Sequence, residues 1–187
     1  MSRAKKTGFG SYPLRNLALG LLMKSPNHGY QLDQDLADKF GMIWKAGQTN
    51  LYITLSGLEK SGLLRIEIER QENRPDRKVF HLTDLGRKTF LDWVSEPVSS
   101  LRAARVELLA KLRFYEWLDL PEPGKLIKAQ QDIFQIMINE WQVDQTQESD
   151  SFLRHVYDFR INQAQFINDW LVEFKENLLP GEGGPLA

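Results

Sequence analysis

The sequence predicts a mainly α protein with one small two-stranded β-hairpin, and two observations carry that reading. Apolar residues recur at three- and four-residue steps along most of the chain, whereas apolar and charged residues alternate with a period of two across Leu64–Glu69, which a second short strand answers. Beyond Val94 every signal is helical.

Leu14, Leu17, Ala18, Leu21 and Leu22 share one helical face and end near Ser25-Pro26. Leu32, Leu36 and Phe40 mark a second helix, with Gly41 where it should stop. After Lys45-Ala46-Gly47, a third helix is predicted from Gln48 to Lys60, with Leu51, Leu55 and Leu58 on one stripe and Ser61-Gly62 closing it. Leu64, Ile66 and Ile68 alternate with Arg65, Glu67 and Glu69 as a strand, and Lys78–Leu82 answers them across the polar turn Gln71–Arg77. Thr83-Asp84-Leu85-Gly86 reads as a capping segment for a fourth helix carrying Phe90, Trp93 and Val94, stopped before Pro97.

The second half opens with a helix carrying Val106, Leu109, Leu112 and Trp117, terminated by Pro121 and Pro123. A long helix follows from about Lys125 to Gln145. Its apolar residues Ile127, Phe134, Met137, Ile138 and Trp141 span a wide arc, so it must be covered on more than one side. The last helix, about Phe152 to Leu179, places Phe152, Val156, Phe159, Gln163, Phe166 and Trp170 at alternating four- and three-residue steps, the spacing of a coiled-coil seam. The expected organisation is a flexible arm 1–13, a first domain 14–94, a linker 95–104, a helical dimerisation domain 105–179 and a disordered tail 180–187.

Composition narrows the function classes. The absence of Cys removes disulfides, thiolate metal sites and cysteine nucleophiles. The basic N-terminus lacks a following apolar core, and the longest apolar stretch, around Leu17–Met23, is too short to cross a bilayer, so a cytoplasmic protein without membrane partners is expected. The net charge of −1 hides an asymmetry: residues 1–94 hold 15 Lys+Arg against 10 Asp+Glu, and residues 95–187 hold 9 against 15. The first half therefore suits a polyanion. There is no glycine-rich phosphate loop, His-Glu-x-x-His or Gly-x-Ser-x-Gly, and His28, His81 and His155 fall in three separate elements. No enzyme, cofactor or metal is expected.

Three helices followed by a hairpin match a winged helix-turn-helix, whose third helix enters the major groove of double-stranded DNA while the wing reaches the backbone. Burying the leucines of the third helix leaves Thr49, Asn50, Tyr52, Ile53, Ser56 and Lys60 on or near its outward side. Asn50 and Gln48 suit adenine, which presents an acceptor beside a donor, whereas Lys45, Lys60, Arg74, Arg77 and Lys78 suit phosphates. Homodimerisation is expected through Leu109, Trp117, Phe152, Val156, Phe159, Phe166, Trp170 and Phe174. The rival reading is a protein-interaction module whose third helix docks on another protein.

Leu19-Gly20-Leu21-Leu22, His28-Gly29-Tyr30-Gln31-Leu32, Leu51-Tyr52, Leu58–Leu64 and Arg77–Arg87, in that order and spacing, resemble the PadR family of transcription regulators. Val106–Leu112 and Trp170-Leu171 resemble the helical dimerisation domain of that family. Arg74–Val79 and Ile43–Ala46 are similar to its long-tailed branch, which includes a virulence-gene activator and repressors of phenolic-acid detoxification. The resemblance implies that Tyr30, Gln48, Asn50, Tyr52, Arg77 and Lys78 lie at the DNA surface. Some relatives hold a small aromatic effector between subunits, but Trp117, Trp141 and Trp170 of this sequence read first as core or interface anchors. Ile53 departs from the pattern, because many relatives carry Pro after the Leu-Tyr pair.

Overall fold

The computed structural model describes residues 12–70 and 76–178. Their order is α1 (Tyr12–Leu21), β1 (Asn27–His28), α2 (Gly29–Phe40), α3 (Gln48–Lys60), β2 (Leu64–Glu69), β3 (Arg77–Leu82), α4 (Asp84–Ser95), α5 (Leu101–Ala103), a π-helical segment Ala104–Leu108, α6 (Leu109–Leu118), α7 (Pro123–Gln147) and α8 (Ser151–Leu178). The expected N-terminal arm falls outside the described residues apart from its last two, and the tail 180–187 lies wholly outside them.

Two compact units divide these elements. One takes in the described residues up to Ser95 together with Leu109–Leu118, and the other comprises Glu96–Leu108 with the described residues from Asp119 onward. In the first unit α1, α2 and α3 bury the predicted leucines: Leu17, Leu32, Leu51 and Leu55 are fully enclosed. The C-terminal end of α3 is set by a left-handed glycine. Gly62 has φ +71°, the Leu63 amide donates to the Leu58 carbonyl at 3.0 Å, and the Gly62 amide donates to Glu59 at 2.9 Å. These two bonds satisfy carbonyls that the helix end would leave open, and they turn the chain directly into β2.

The sheet has three strands rather than the expected two, in the order β1-β3-β2 and antiparallel throughout. β1 is only two residues long, pairing Asn27 with Phe80 and His28 with Val79, so it carries no period that a sequence reading could detect. On the sheet's inner face Leu64 and Phe80 are buried. At the start of α4 the Thr83 hydroxyl accepts from the Gly86 amide at 3.0 Å, the N-cap expected from the sequence.

The expected domain boundary put the helix around Leu109 in the second half of the molecule. In the structure α6 completes the core of the first unit. Phe114 is fully enclosed, with ring centroids 4.6 Å from Phe40, 5.0 Å from Phe90 and 6.2 Å from Trp93. Trp117 on the same helix lies 6.1 Å from Phe114, and the Lys24 and Lys39 ammoniums sit 4.8 and 5.1 Å from its ring centroid. Periodicity shows that a helix has an apolar face but not which element that face meets, so the allegiance of α6 could not be read in advance.

The second unit is built on an antiparallel helical pair. Leu126, Ile127, Phe134, Ile138 and Trp141 of α7, with Ile161, Ala164 and Leu171 of α8, are buried. Gln131 donates to the Asn168 carbonyl at 3.4 Å near one end, and Gln145 donates to the Arg154 carbonyl at 3.1 Å near the other. Pro123 starts α7, where its missing N–H costs nothing, and Asp150 caps α8 by accepting from the Phe152 amide at 2.8 Å. Gln130, fully buried, accepts from the Val98 amide at 2.7 Å and donates to the Val98 carbonyl at 2.9 Å. That pair satisfies both ends of an amide that burial would otherwise penalise.

Candidate nucleic-acid interface

The exposed side of α3 follows from its buried one. With Leu51, Leu55 and Leu58 turned into the core, Gln48, Thr49, Asn50, Tyr52, Ile53, Ser56 and Lys60 are all solvent-exposed. Tyr52 packs on its neighbour in α2: a Cβ on Gly29 would come within 2.6 Å of the Tyr52 ring and displace it from this position.

This contact helps form an open cleft of 480 Å³ lined by His28, Gly29, Tyr30, Gln31, Tyr52, Asp76, Arg77, Lys78 and Phe80. Tyr30, Tyr52, Arg77 and Lys78, four of the expected contact residues, thus share one surface although nearly fifty residues of sequence separate the first from the last. Tyr30 Oη accepts from Gln34 Nε2 at 3.0 Å, which orients a ring that is otherwise exposed. Tyr52 also belongs to the adjoining shallow groove along α3, with Thr49, Ile53, Ser56, Gly57 and Lys60. Lys45 and Gln48 line a separate depression with Asp33, Asp38 and Trp44, so these two are not brought to the tyrosine cleft. Asn50 is exposed on α3 and lines none of the three, and Arg74 lies outside the described residues.

Across the β2–β3 ladder Glu69 stands opposite Arg77 and Ile68 opposite Lys78. A charged cluster that sequence spacing did not show occupies the outer face of the sheet. Arg65 Nη2 is 3.0 Å from His81 Nδ1, and the Glu67 carboxylate is 3.4 Å from Arg65 and 3.1 Å from His81 Nε2. The last of these is a close approach and not a hydrogen bond, since His81 Nε2 has no hydrogen-bond partner. His28 Nε2 lies 3.5 Å from Glu69. The two histidines are far apart in sequence but come onto one sheet because β1 pairs with β3. Among the described residues no group of three or more His, Asp or Glu could hold a metal ion, and no helix is long and apolar enough to cross a membrane.

In the second unit, α8 turns Ile161, Ala164 and Leu171 toward α7 and leaves a second apolar row in solvent. Phe152 is 71% exposed, Phe159 68% and Phe166 69%, with Val156 in the same row. Trp170 and Phe174 continue it half-buried, their rings stacked 5.1 Å apart. Leu109 and Trp117, expected on the same pairing surface, belong to the first unit.

Residues 18–92, which run from the last turn of α1 through α2, α3 and the hairpin into α4, match the transcriptional regulator PadR-like family. The chain is similar to the PadR-like family over that segment. It is 32% identical over 84 residues to a probable transcriptional regulator of Mycobacterium tuberculosis, covering 45% of this chain and 44% of that protein. It is 26% identical over 117 residues to the negative transcriptional regulator PadR of Bacillus subtilis, covering 63% of this chain and 64% of that one. The matched region thus spans less than two thirds of the length of either relative. Among solved structures it is similar to Bacillus subtilis PadR in complex with operator DNA, at 21% identity and TM-score 0.47, covering 89% of this chain and 98% of that one. The same regulator in complex with p-coumaric acid is similar at 19% identity and TM-score 0.42, covering 92% and 98%. The PadR-like segment of this chain contains every described residue of the candidate interface, whereas the exposed row of α8 lies beyond it.

Proposed function

We propose that this chain is a transcription regulator of the cytoplasm that binds double-stranded DNA as a homodimer on an inverted repeat. The observation that carries the reading is the exposed α3 beside a cleft holding Tyr30, Tyr52, Arg77 and Lys78, which offers a helix to the major groove and cations to the flanking phosphates. Asn50, Gln48 and Thr49 are the base-reading candidates, and Lys45, Lys60 and Arg74 join the wing cations as phosphate contacts.

The pairing surface in this reading is the row Phe152, Val156, Phe159, Phe166, Trp170 and Phe174. Aromatic side chains at coiled-coil spacing lower the free energy of the chain when a second copy covers them. Twofold pairing would set two α3 helices about 34 Å apart, one per half-site. A small aromatic molecule of the kind held in the Bacillus subtilis PadR complex is the candidate effector.

Genomic footprinting with the full-length chain, followed by electrophoretic shift on the recovered sites, tests the proposal. A shared palindromic motif bound with strong salt dependence is expected. A chain that selects no duplex would leave the protein-interaction reading in its place. Addition of p-coumaric acid to the same shift tests the effector: release of the DNA supports it, and unchanged binding removes that ligand.

A further inference from the structure

The outward strip of α3 has a composition that neither solubility nor helix stability explains. A helix turns 100° per residue, so Ile53, two positions from both Leu51 and Leu55, points almost directly away from the buried stripe, and it is 66% exposed. Its neighbours on that side are Thr49, Asn50, Ser56 and Gly57, with Lys60 as the charge at the far end. The solvent face of α4 also exposes Leu85 and Leu91, but sets them among Arg87, Lys88 and Asp92, with Lys88 and Asp92 paired at 2.6 Å. β-Branched residues, serine and glycine are poor helix formers, and α3 concentrates them where packing imposes no choice.

Gly57 sharpens the point. A Cβ there would meet nothing within 4 Å, and its φ is not in the left-handed region. The protein's own fold therefore has no use for a glycine at this position, although glycine weakens a helix interior. Its use is clearance for something that approaches the helix from outside.

We infer that α3 reads thymine through Ile53, whose side chain packs on the 5-methyl group in the major groove while Gly57 lets the helix backbone come close to the duplex. The 5-methyl of thymine is the apolar feature among the base edges of that groove, and an exposed isoleucine offers no hydrogen bond to any other. The groove lined by Thr49, Tyr52, Ile53, Ser56, Gly57 and Lys60 places this apolar contact between Tyr52 and a terminal cation suited to phosphate. The inference rests on the DNA-binding reading above and adds the base that the helix distinguishes.

Replacing each thymine of a footprinted operator in turn by deoxyuridine removes only the methyl group. For the full-length protein, uracil at one or two positions per half-site is expected to weaken binding about fourfold, the equivalent of one buried methyl. Ile53→Ala, at a surface position where truncation leaves no cavity, should lose the same factor on thymine and bind the thymine and uracil duplexes alike. Gly57→Ala should raise the melting temperature of the free protein yet weaken operator binding severalfold, a pairing of signs that a structural role would not produce. Sequence-selective binding indifferent to every uracil, or an Ile53→Ala variant that keeps the thymine preference, overturns the inference while leaving DNA binding intact. Unchanged affinity in Gly57→Ala overturns the clearance role, and a wild-type chain that selects no duplex overturns the underlying reading as well.

Discussion

Asn50 and Arg77 are both solvent-exposed, but they sit on different elements and should fail differently when removed. In the proposed complex Asn50, on the first turn of α3, offers a donor and an acceptor to one base, so Asn50→Ala should cost about 1–3 kcal/mol on the footprinted operator and relax selectivity at a single position. Equal losses on operator and random duplexes in a competition shift would remove that role. Arg77 stands at the tip of the described hairpin opposite Glu69, and in the proposed complex it would meet a phosphate rather than a base. Arg77→Ala should weaken binding to all sequences and reduce the slope of log K against log salt by about one unit, read from a salt titration of the affinity. The exposure of Asn50 was legible in the sequence, since three leucines four and three residues apart define where α3 must face. The grouping of the cleft residues was not. Tyr30 and Lys78 meet in one cleft only because β1 pairs with β3 and because Gly29 admits the Tyr52 ring.

Among elements, α3 ran from Gln48 to Lys60 as its leucine stripe and Ser61-Gly62 had indicated, and β2 covered Leu64–Glu69, because local pattern and tertiary burial point the same way there. The two-residue β1 and the π-helical Ala104–Leu108 were not legible, since each is too short to hold a period of its own. The element whose sequence was clear and whose partner was not is α6. Phe114→Ala should destabilise the first unit by about 3–5 kcal/mol, because the ring fills the space between Phe40, Phe90 and Trp93. Urea unfolding monitored by circular dichroism measures the loss. Glu116→Ala, two residues from Phe114 on the exposed side of α6, removes a solvent-exposed ion pair with Arg113 that is worth little; it should stay within about 0.5 kcal/mol and serves as the control.

For the whole molecule, the proposed dimer would divide its labour between the cationic first half and the apolar row of α8. Phe166→Asp should abolish the proposed dimer, since a carboxylate would be buried against apolar partners, yet it should leave a folded chain because position 166 faces away from α7. Light scattering that still reports two copies would remove α8 from the pairing surface. The first unit is also discontinuous in sequence, since Glu96–Leu108, between its two stretches, belongs to the second. On the ribosome, the nascent head cannot close until codon 118 has been read and its product has emerged. A fragment trimmed after the fourth helix would keep every proposed DNA contact and yet be born with a void where an aromatic ring belongs.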